Sequence, residues 1–273
     1  MPNIIVDPAL CKKDGLCVSV CPLKVLEQLD GSLPRTREDR QSQCISCGHC
    51  MAVCTREALL LDGTRRDQLL PLDAEKYPNP ESLSQLMRGR RSIRLYAGEL
   101  VDRDVIEKIL EVVRWAPSGK NVQPLRYTVL SGRERIKQLG QHIIDHFRTL
   151  LQVAPESAAF FGAGGLIKAW ESGKDLVLYE VPHVIVAHGP KQNPVLMGSG
   201  MIALTQVELQ ATARGLGACW AGYLQIAAAS HEPLRSAMEL PEGDAVACAL
   251  MLGKPRVKYR AIPPRKPLQV NWL

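Results

Sequence analysis

Seven of the nine cysteines in this 273-residue chain fall within its first 54 residues. Cys44, Cys47, Cys50 and Cys54 make a complete C-x2-C-x2-C-x3-C run. An incomplete copy stands ahead of it: Cys11, Cys17 and Cys21, followed by Pro22. Thiolates at this spacing hold iron and inorganic sulfide, a chemistry used to take up and release single electrons. In a reducing compartment clustered thiols serve as metal ligands rather than disulfides. C-x2-C pairs also build zinc sites, but seven cysteines in a duplicated layout fit two tetrahedral ions poorly. Whatever follows in the chain is a candidate destination for those electrons.

The duplicated cysteine runs resemble two-cluster bacterial ferredoxins, and the resemblance covers residues 1–62. It implies two 4Fe-4S clusters with crossed ligands, the fourth cysteine of each run serving the other cluster. One cluster would take Cys44, Cys47, Cys50 and Cys21. The other would take Cys11, Cys17, Cys54 and whatever occupies the remaining position, which is Asp14. A carboxylate is a harder ligand than a thiolate and holds iron less firmly. The first cluster is therefore expected either to carry one Asp-ligated iron or to be a 3Fe-4S cluster lacking it. The alternative is that Asp14 only starts a turn with Gly15. His49, between two ligands, reads as a packing or exposed residue.

A second set of residues begins with Arg90-Arg91-Ser92-Ile93-Arg94. Three guanidiniums and a hydroxyl in five residues suit a phosphate, although a basic surface patch would look the same. A polar loop follows, from Pro117, Ser118 and Gly119 through Asn121 to Gln123, whose side chains could reach the heteroatoms of a flat ring. Then come Gly215 to Tyr223, and Gly253-Lys254-Pro255 leading to Arg265 and Lys266. In this order the four segments resemble the nitroreductase family of FMN-dependent flavoproteins, over residues 82–273.

That resemblance implies a homodimer with two FMN sites at its interface. Arg90, Arg91, Ser92 and Arg94 would bind the ribityl phosphate and the pyrimidine side of the ring, with Arg265 at the phosphate end. Pro117, Ser118, Gly119, Asn121 and Gln123 would approach the flavin, some of them from the partner subunit. Ala221 and Gly222 match the segment whose backbone N–H faces flavin N5, where a donor favours the reduced, anionic ring. The expected activity is that of an oxidoreductase. The clusters pass electrons to FMN, which reduces a small conjugated acceptor such as a nitroaromatic or a quinone. No catalytic side chain is singled out, because the cofactor carries the chemistry. The fused clusters favour reduced ferredoxin as donor, and NAD(P)H remains open although no G-x-G-x-x-G follows a strand. Rival readings are an electron carrier that serves a protein partner, a redox sensor, and a fold that dismantles or dehalogenates its ligand.

These groups need elements to hold them. The hydrophobic share of 46% is enough for a core, and the charged share of 23% is ordinary for a soluble chain. The net charge of +6 is scattered, which argues against nucleic acid as partner. No apolar run reaches membrane length and the N-terminus lacks the pattern of a signal peptide, so a cytoplasmic protein is expected. Short strands at 4–6 and 59–61 flank the cysteine runs, and the Pro-containing segment 63–81 reads as a linker. Beyond it, helices are expected from Ser82 or Ser84 to Arg88, from Asp102 to before Pro117, over 133–151 and over 201–214. Strands are expected over 125–130, 183–187 and 245–252. The fold class is α+β, with a small ferredoxin-like domain followed by helices around a mixed central sheet. The nearly all-apolar helix 201–214 is placed at the dimer interface. Phe161 to Gly165 reads as a mobile loop near the substrate. Cys219, Cys248, His183 and His188 read as structural, and core packing is the safer reading of Trp170 and Tyr179.

Overall fold

Two left-handed glycines open the two short helices of the N-terminal segment. The computed structural model describes residues 3–61 and 63–273. Met1, Pro2 and Asp62, the last residue of the expected first domain, lie outside the described residues. Gly15 (φ 72°) precedes α1 (Leu16–Ser19), and Gly48 (φ 74°) precedes α2 (His49–Ala52). Only glycine adopts this conformation without steric cost. The repeat extends to ordinary residues: Lys13 and Ser46, and Lys24 and Glu57, occupy corresponding left-handed positions. The duplication visible in the cysteines is thus a duplication of backbone. Strand β1 (Ile4–Val6) pairs with β4 (Leu59–Leu61), and β2 (Leu26–Glu27) with β3 (Arg35–Thr36), both antiparallel. Cys17, Cys50, Leu26, Leu59 and Leu61 form the small core between them.

The chain divides into two compact units. The first runs through Tyr77 and includes Gly119–Val122; the second holds Pro78–Ser118 and Gln123–Leu273. In the second unit α3 (Pro80–Gly89) starts earlier than the expected Ser82. Asn79 accepts a hydrogen bond from the Ser82 N–H at 2.8 Å, and Pro80 takes the first helical turn. The prolines that suggested a linker therefore also begin a helix.

After α4 (Arg103–Val113) come β5 (Arg126–Ser131), α5 (Arg133–Val153), α6 (Pro155–Phe160) and α7 (Ala163–Glu171). Then follow β6 (His183–Pro190), α8 (Leu196–Ala213), β7 (Gly217–Trp220), α9 (Gly222–Ala228), α10 (Glu232–Ala237) and β8 (Asp244–Gly253). Four strands form one sheet in the order β5-β6-β8-β7, each pair antiparallel. The parallel pairing at its edge is an isolated bridge between Ser92 and Ala218.

Side chains alternate across the sheet. Val184, Val186, Ala249 and Met251 pack with Ile143, Phe147, Leu166, Leu224 and Leu234 of α5, α7, α9 and α10. Ile185, Ala187, Cys248 and Leu250 pack with Ile109 of α4 and with Leu204 and Val207 of α8. Burial on both faces explains why β6 reads as a continuous apolar run.

The stretch Phe161 to Gly165 is not a loop: Gly162 (φ 68°) turns the chain and α7 starts at Ala163. Glycine weakens a helix but does not forbid one, and Leu166 buries the helix against the sheet. Helix α8 starts at Leu196 rather than 201. It buries Ala203, Leu204, Val207 and Ala211 while exposing Met197, Met201 and Ile202. Among the described residues no helix is long and apolar enough to cross a membrane.

Candidate functional site

The N-terminal unit contains two cavities of similar size, and each is ringed by four of the expected ligands. The first is lined by Cys11, Asp14, Cys17 and Cys54. The second is lined by Cys21, Cys44, Cys47 and Cys50. The fold thus brings the last cysteine of each run to the other run's cavity. Helix α1 carries Cys17 into the first cavity and α2 carries Cys50 into the second. Matching N–H donors hold the crossing thiols: Val25 donates to Cys21 Sγ at 3.3 Å and Ala58 to Cys54 Sγ at 3.2 Å. Hydrogen bonds to sulfur are among the means by which a protein tunes such a cluster.

Asp14 stands where the repeat places Cys47. Its Oδ1 accepts the Leu16 N–H at 3.2 Å, so the carboxylate both starts the turn and lines the cavity. The surroundings of the two cavities differ. Lys12, Lys13 and Arg56 border the first, whereas Ile4, Pro22, Leu23, Val25 and Ile45 make the second apolar. Burial pushes the Cys17 thiol up, and the Cys50 thiol up to about 11. A bare thiolate there would be costly, and bound iron supplies the positive charge that removes the cost. Among the described residues no three ligating side chains are close-set enough for one ion. His49 takes no part in either ring of ligands beyond lining the second cavity.

In the second unit the Arg90–Tyr96 segment is laid along β7 and β8. Ile93 donates to Ala218 O at 2.9 Å, Ala97 to Lys254 O at 2.8 Å, and the Tyr96 hydroxyl to Ile93 O at 2.6 Å. Gly217 and Gly253 permit this approach. A Cβ at Gly217 would lie 2.6 Å from Ile93, and one at Gly253 would lie 2.7 Å from Pro182.

The four polar residues of the segment then diverge. Arg90 Nη1 pairs with Glu208 Oε1 of α8 at 2.5 Å, so part of this guanidinium is already engaged. Arg91 donates from Nη2 to Arg88 O at 2.6 Å, while its buried Nε has no hydrogen-bond partner. That orphan donor is the feature an anionic ligand would satisfy. Burial pushes the Cys219 thiol up, opposed first by the charge of Arg94 and then by Ser92. The Arg94 guanidinium lies 5.8 Å from the centroid of the Tyr179 ring.

Arg94 and Tyr179 line a cavity of about 250 Å³ together with Cys219, Trp220, Gly222, Tyr223 and Met251. The Ala221 N–H is spent on Ala249 O at 2.9 Å. Gly222 is the first residue of α9, where a helix offers no internal acceptor for the N–H.

Sequence reasoning missed the group that shapes the cavity wall. Asp175 accepts N–H bonds from Val177 and Leu178 at Oδ1 and from Glu180 at Oδ2, all within 2.8 to 2.9 Å. This clamp holds Tyr179 (φ 56°) and Glu180 (φ 49°) in left-handed conformations. A lone Asp before an apolar stretch offers no signal beyond a turn. Trp170 faces elsewhere, donating to Gln141 and covering Gly140.

The polar loop after α4 holds Pro117, Ser118 and Gly119, with a short 3-10 turn from Gly119 to Asn121. Lys120, Asn121 and Gln123 all have positive φ, near 50°. Ser118 Oγ accepts the Gln123 N–H at 2.9 Å, and Asn121 Nδ2 donates to Ile45 O and Ser46 O at 3.1 Å within the first unit. Arg265 lies in the exposed segment after β8 and has no hydrogen bond or ion pair among the described residues. Cys248 is a fully buried core thiol. His183 and His188 are buried and hydrogen-bonded, as structural residues would be.

The comparisons with known proteins agree with this division. The nitroreductase family matches residues 87–254, and the 4Fe-4S dicluster domain matches residues 3–55. A 4-nitrobenzoate reductase from a Nocardioides species is 28% identical over 208 residues, covering 64% of this chain and 81% of that protein. An FMN-bound nitroreductase structure from Bacteroides fragilis superposes with a TM-score of 0.56 at 18% identity, covering 69% of this chain and 98% of the other. A second FMN-bound nitroreductase structure, from Desulfitobacterium hafniense, gives 0.55 at 23%, covering 69% and 97%. At these identities the two structures speak for the fold.

Proposed function

We infer, because the chain belongs to the nitroreductase family and carries a 4Fe-4S dicluster domain ahead of it, that electrons collected at two clusters are spent at FMN on a small conjugated acceptor. The clusters would relay electrons singly and the flavin would deliver them in pairs. The observation that carries this reading is the pair of four-donor cavities in a chain that continues into a nitroreductase domain.

Cys21, Cys44, Cys47 and Cys50 hold one cluster; Cys11, Cys17, Cys54 and Asp14 hold the other. With an oxygen ligand at Asp14, the iron at that corner is the most readily lost, which gives a 3Fe-4S form. In the second unit Arg91 supplies its unsatisfied Nε to the FMN phosphate, and Arg90, braced by Glu208, adds charge beside it. Ser92 and Arg94 line the way to the ring, and the Gly222 N–H serves N5. Ser118, Gly119, Asn121, Gln123 and Arg265 complete the site in a homodimer, the exposed Met197, Met201 and Ile202 face of α8 being buried between subunits. Acceptors such as nitroaromatics or quinones stack on the open face. Reduced ferredoxin is the favoured donor, with NAD(P)H as the alternative, and the protein acts in the cytoplasm.

Anaerobic purification with iron and flavin supplied tests the reading. The protein should show a broad cluster absorption beneath flavin peaks, bleached by dithionite and restored by 4-nitrobenzoate or a quinone. A protein that binds flavin but no iron, or one that small acceptors never reoxidise, would overturn it.

A further inference from the structure

The duplicated backbone of the first unit allows an internal comparison. Counted from the cysteines, Lys12 of the first run corresponds to Ile45 of the second, and Leu23 after the first run to Arg56 after the second. Because the last cysteine of each run serves the other run's cavity, Lys12 and Arg56 meet at the first cavity, and Ile45 and Leu23 at the second. Lys13 joins the first pair. The backbone is alike in both halves, with Lys13 at φ 57° and its counterpart Ser46 at φ 50°. The second cavity gathers four thiols with apolar residues at these places. Cations there are thus no requirement of the cage.

Lys12, Lys13 and Arg56 are exposed. Among the described residues none of the three forms an ion pair. Asp14 is the one carboxylate lining the cavity, and Asp7, ahead of the run, is paired with Arg66 at 2.9 Å. The segment that carries the two lysines is held in place. Lys13 Nζ donates to Gly31 O at 2.7 Å, and Gln28 Nε2 donates to Lys13 O at 3.1 Å and to Ser32 O at 2.9 Å. The corresponding segment of the second run is already occupied within the first unit. Asn121 Nδ2 donates to Ile45 O and Ser46 O, both at 3.1 Å.

We propose that Lys12, Lys13 and Arg56 form the docking surface for an acidic one-electron donor protein, so that electrons enter the chain at the Asp14 cavity. The proposal rests on the relay reading above and names its donor side. Cations grouped around a redox centre attract a partner of opposite charge, raise the encounter rate and orient the partner's own centre toward the cavity. Transient redox complexes are held by small surfaces, a scale that three cations around one cavity can serve. Each encounter oxidises the donor by one electron and reduces the iron–sulfur centre behind the rim by one. Two encounters supply the pair that FMN delivers, and no bond is made or broken in the transfer.

Holoprotein with clusters and flavin in place is mixed by stopped flow with a reduced two-cluster bacterial ferredoxin of acidic surface. The second-order rate of reduction should be high at low salt and fall as salt rises. A chain carrying Lys12→Gln and Arg56→Gln should react about tenfold or more slowly at low salt and lose most of that salt dependence. Oxidised ferredoxin should bind this variant more weakly in titration calorimetry, where no electron moves. A chain carrying Lys12→Arg and Arg56→Lys keeps the charge and should keep the rate. Dithionite, which needs no docking surface, should bleach clusters and flavin to the same extent in every protein. Equal ferredoxin rates and affinities in wild type and the neutral variant, with dithionite bleaching intact, would overturn the docking surface and leave the relay standing. A shifted cluster potential with unchanged affinity would make the cations part of the cage and overturn it as well. A wild type that dithionite leaves unbleached would sink the relay, and the docking surface with it.

Discussion

Arg90 and Glu208 form an ion pair at 2.5 Å that fixes the end of α3 to the middle of α8, with the Glu208 side chain only 5% exposed. The first guanidinium of the expected phosphate cluster is thus also a structural brace. Removing the cation strands a buried carboxylate, which costs more than removing the carboxylate from a partly exposed cation. Arg90→Met should lose about 3 kcal/mol of stability and Glu208→Gln clearly less. Urea unfolding of the two variants checks the order, and a reversed order would refute it.

Arg91 offers the cleaner test of ligand binding. Its Nε has no protein partner to lose. Arg91→Gln gives up only the exposed Nη2 bond to the Arg88 carbonyl and should lower the unfolding free energy by no more than about 1 kcal/mol. FMN affinity should fall about tenfold or more, the worth of one charge-assisted hydrogen bond. Flavin fluorescence titration measures this. Unchanged affinity would remove Arg91 from the phosphate site.

Asp14 and Cys47 hold corresponding places in the two halves of the repeat. Asp14→Cys should give a chain with two like clusters, a higher iron content and no signal from a three-iron centre. Cys47→Asp should transfer the oxygen-ligated character to the other cavity. Iron counting and EPR of the three proteins report the outcome. Identical spectra for wild type and Asp14→Cys would reduce Asp14 to a turn residue.

Acid should weaken the second unit before its carboxylates titrate. Burial holds His146, His183 and His231 below their ordinary value of 6.5. Below that value the unfolded chain takes up protons that the folded chain refuses. Stability is therefore full above about pH 6.5 and falls as pH drops from there toward the lowered folded values, by up to about 1.4 kcal/mol per pH unit for each histidine. His183 accepts the Val101 N–H at Nε2, at 2.8 Å, a bond that protonation breaks. His183→Gln should flatten the loss between pH 7.5 and 5.5 in urea unfolding; an unchanged slope would clear His183 of the effect.

Gly217 should tolerate no side chain. Gly217→Ala would place a Cβ 2.6 Å from Ile93 and cost about 1–3 kcal/mol. In an Ile93→Ala background, which lacks the two γ carbons that this Cβ would meet, Gly217→Ala should cost less. Additive effects would mean that the two positions do not touch.

Thiol spacing, the duplicated turns and the order of the Arg-, Ser- and Gly-containing segments are local features, and they are written in the chain itself. They suffice for both domain families and for most helices and strands. Periodicity could not announce α7, because its glycines look like a loop until Leu166 finds a core to bury in. Nor could it separate Arg90 from Arg91, since one guanidinium meets Glu208 of α8 and the other leaves a nitrogen unmet. The ion pair of Arg90 with Glu208 and the bond from the Ile93 N–H to the Ala218 carbonyl join residues far apart in sequence. Such pairings depend on where packed elements come to rest, so only the three-dimensional arrangement decides them.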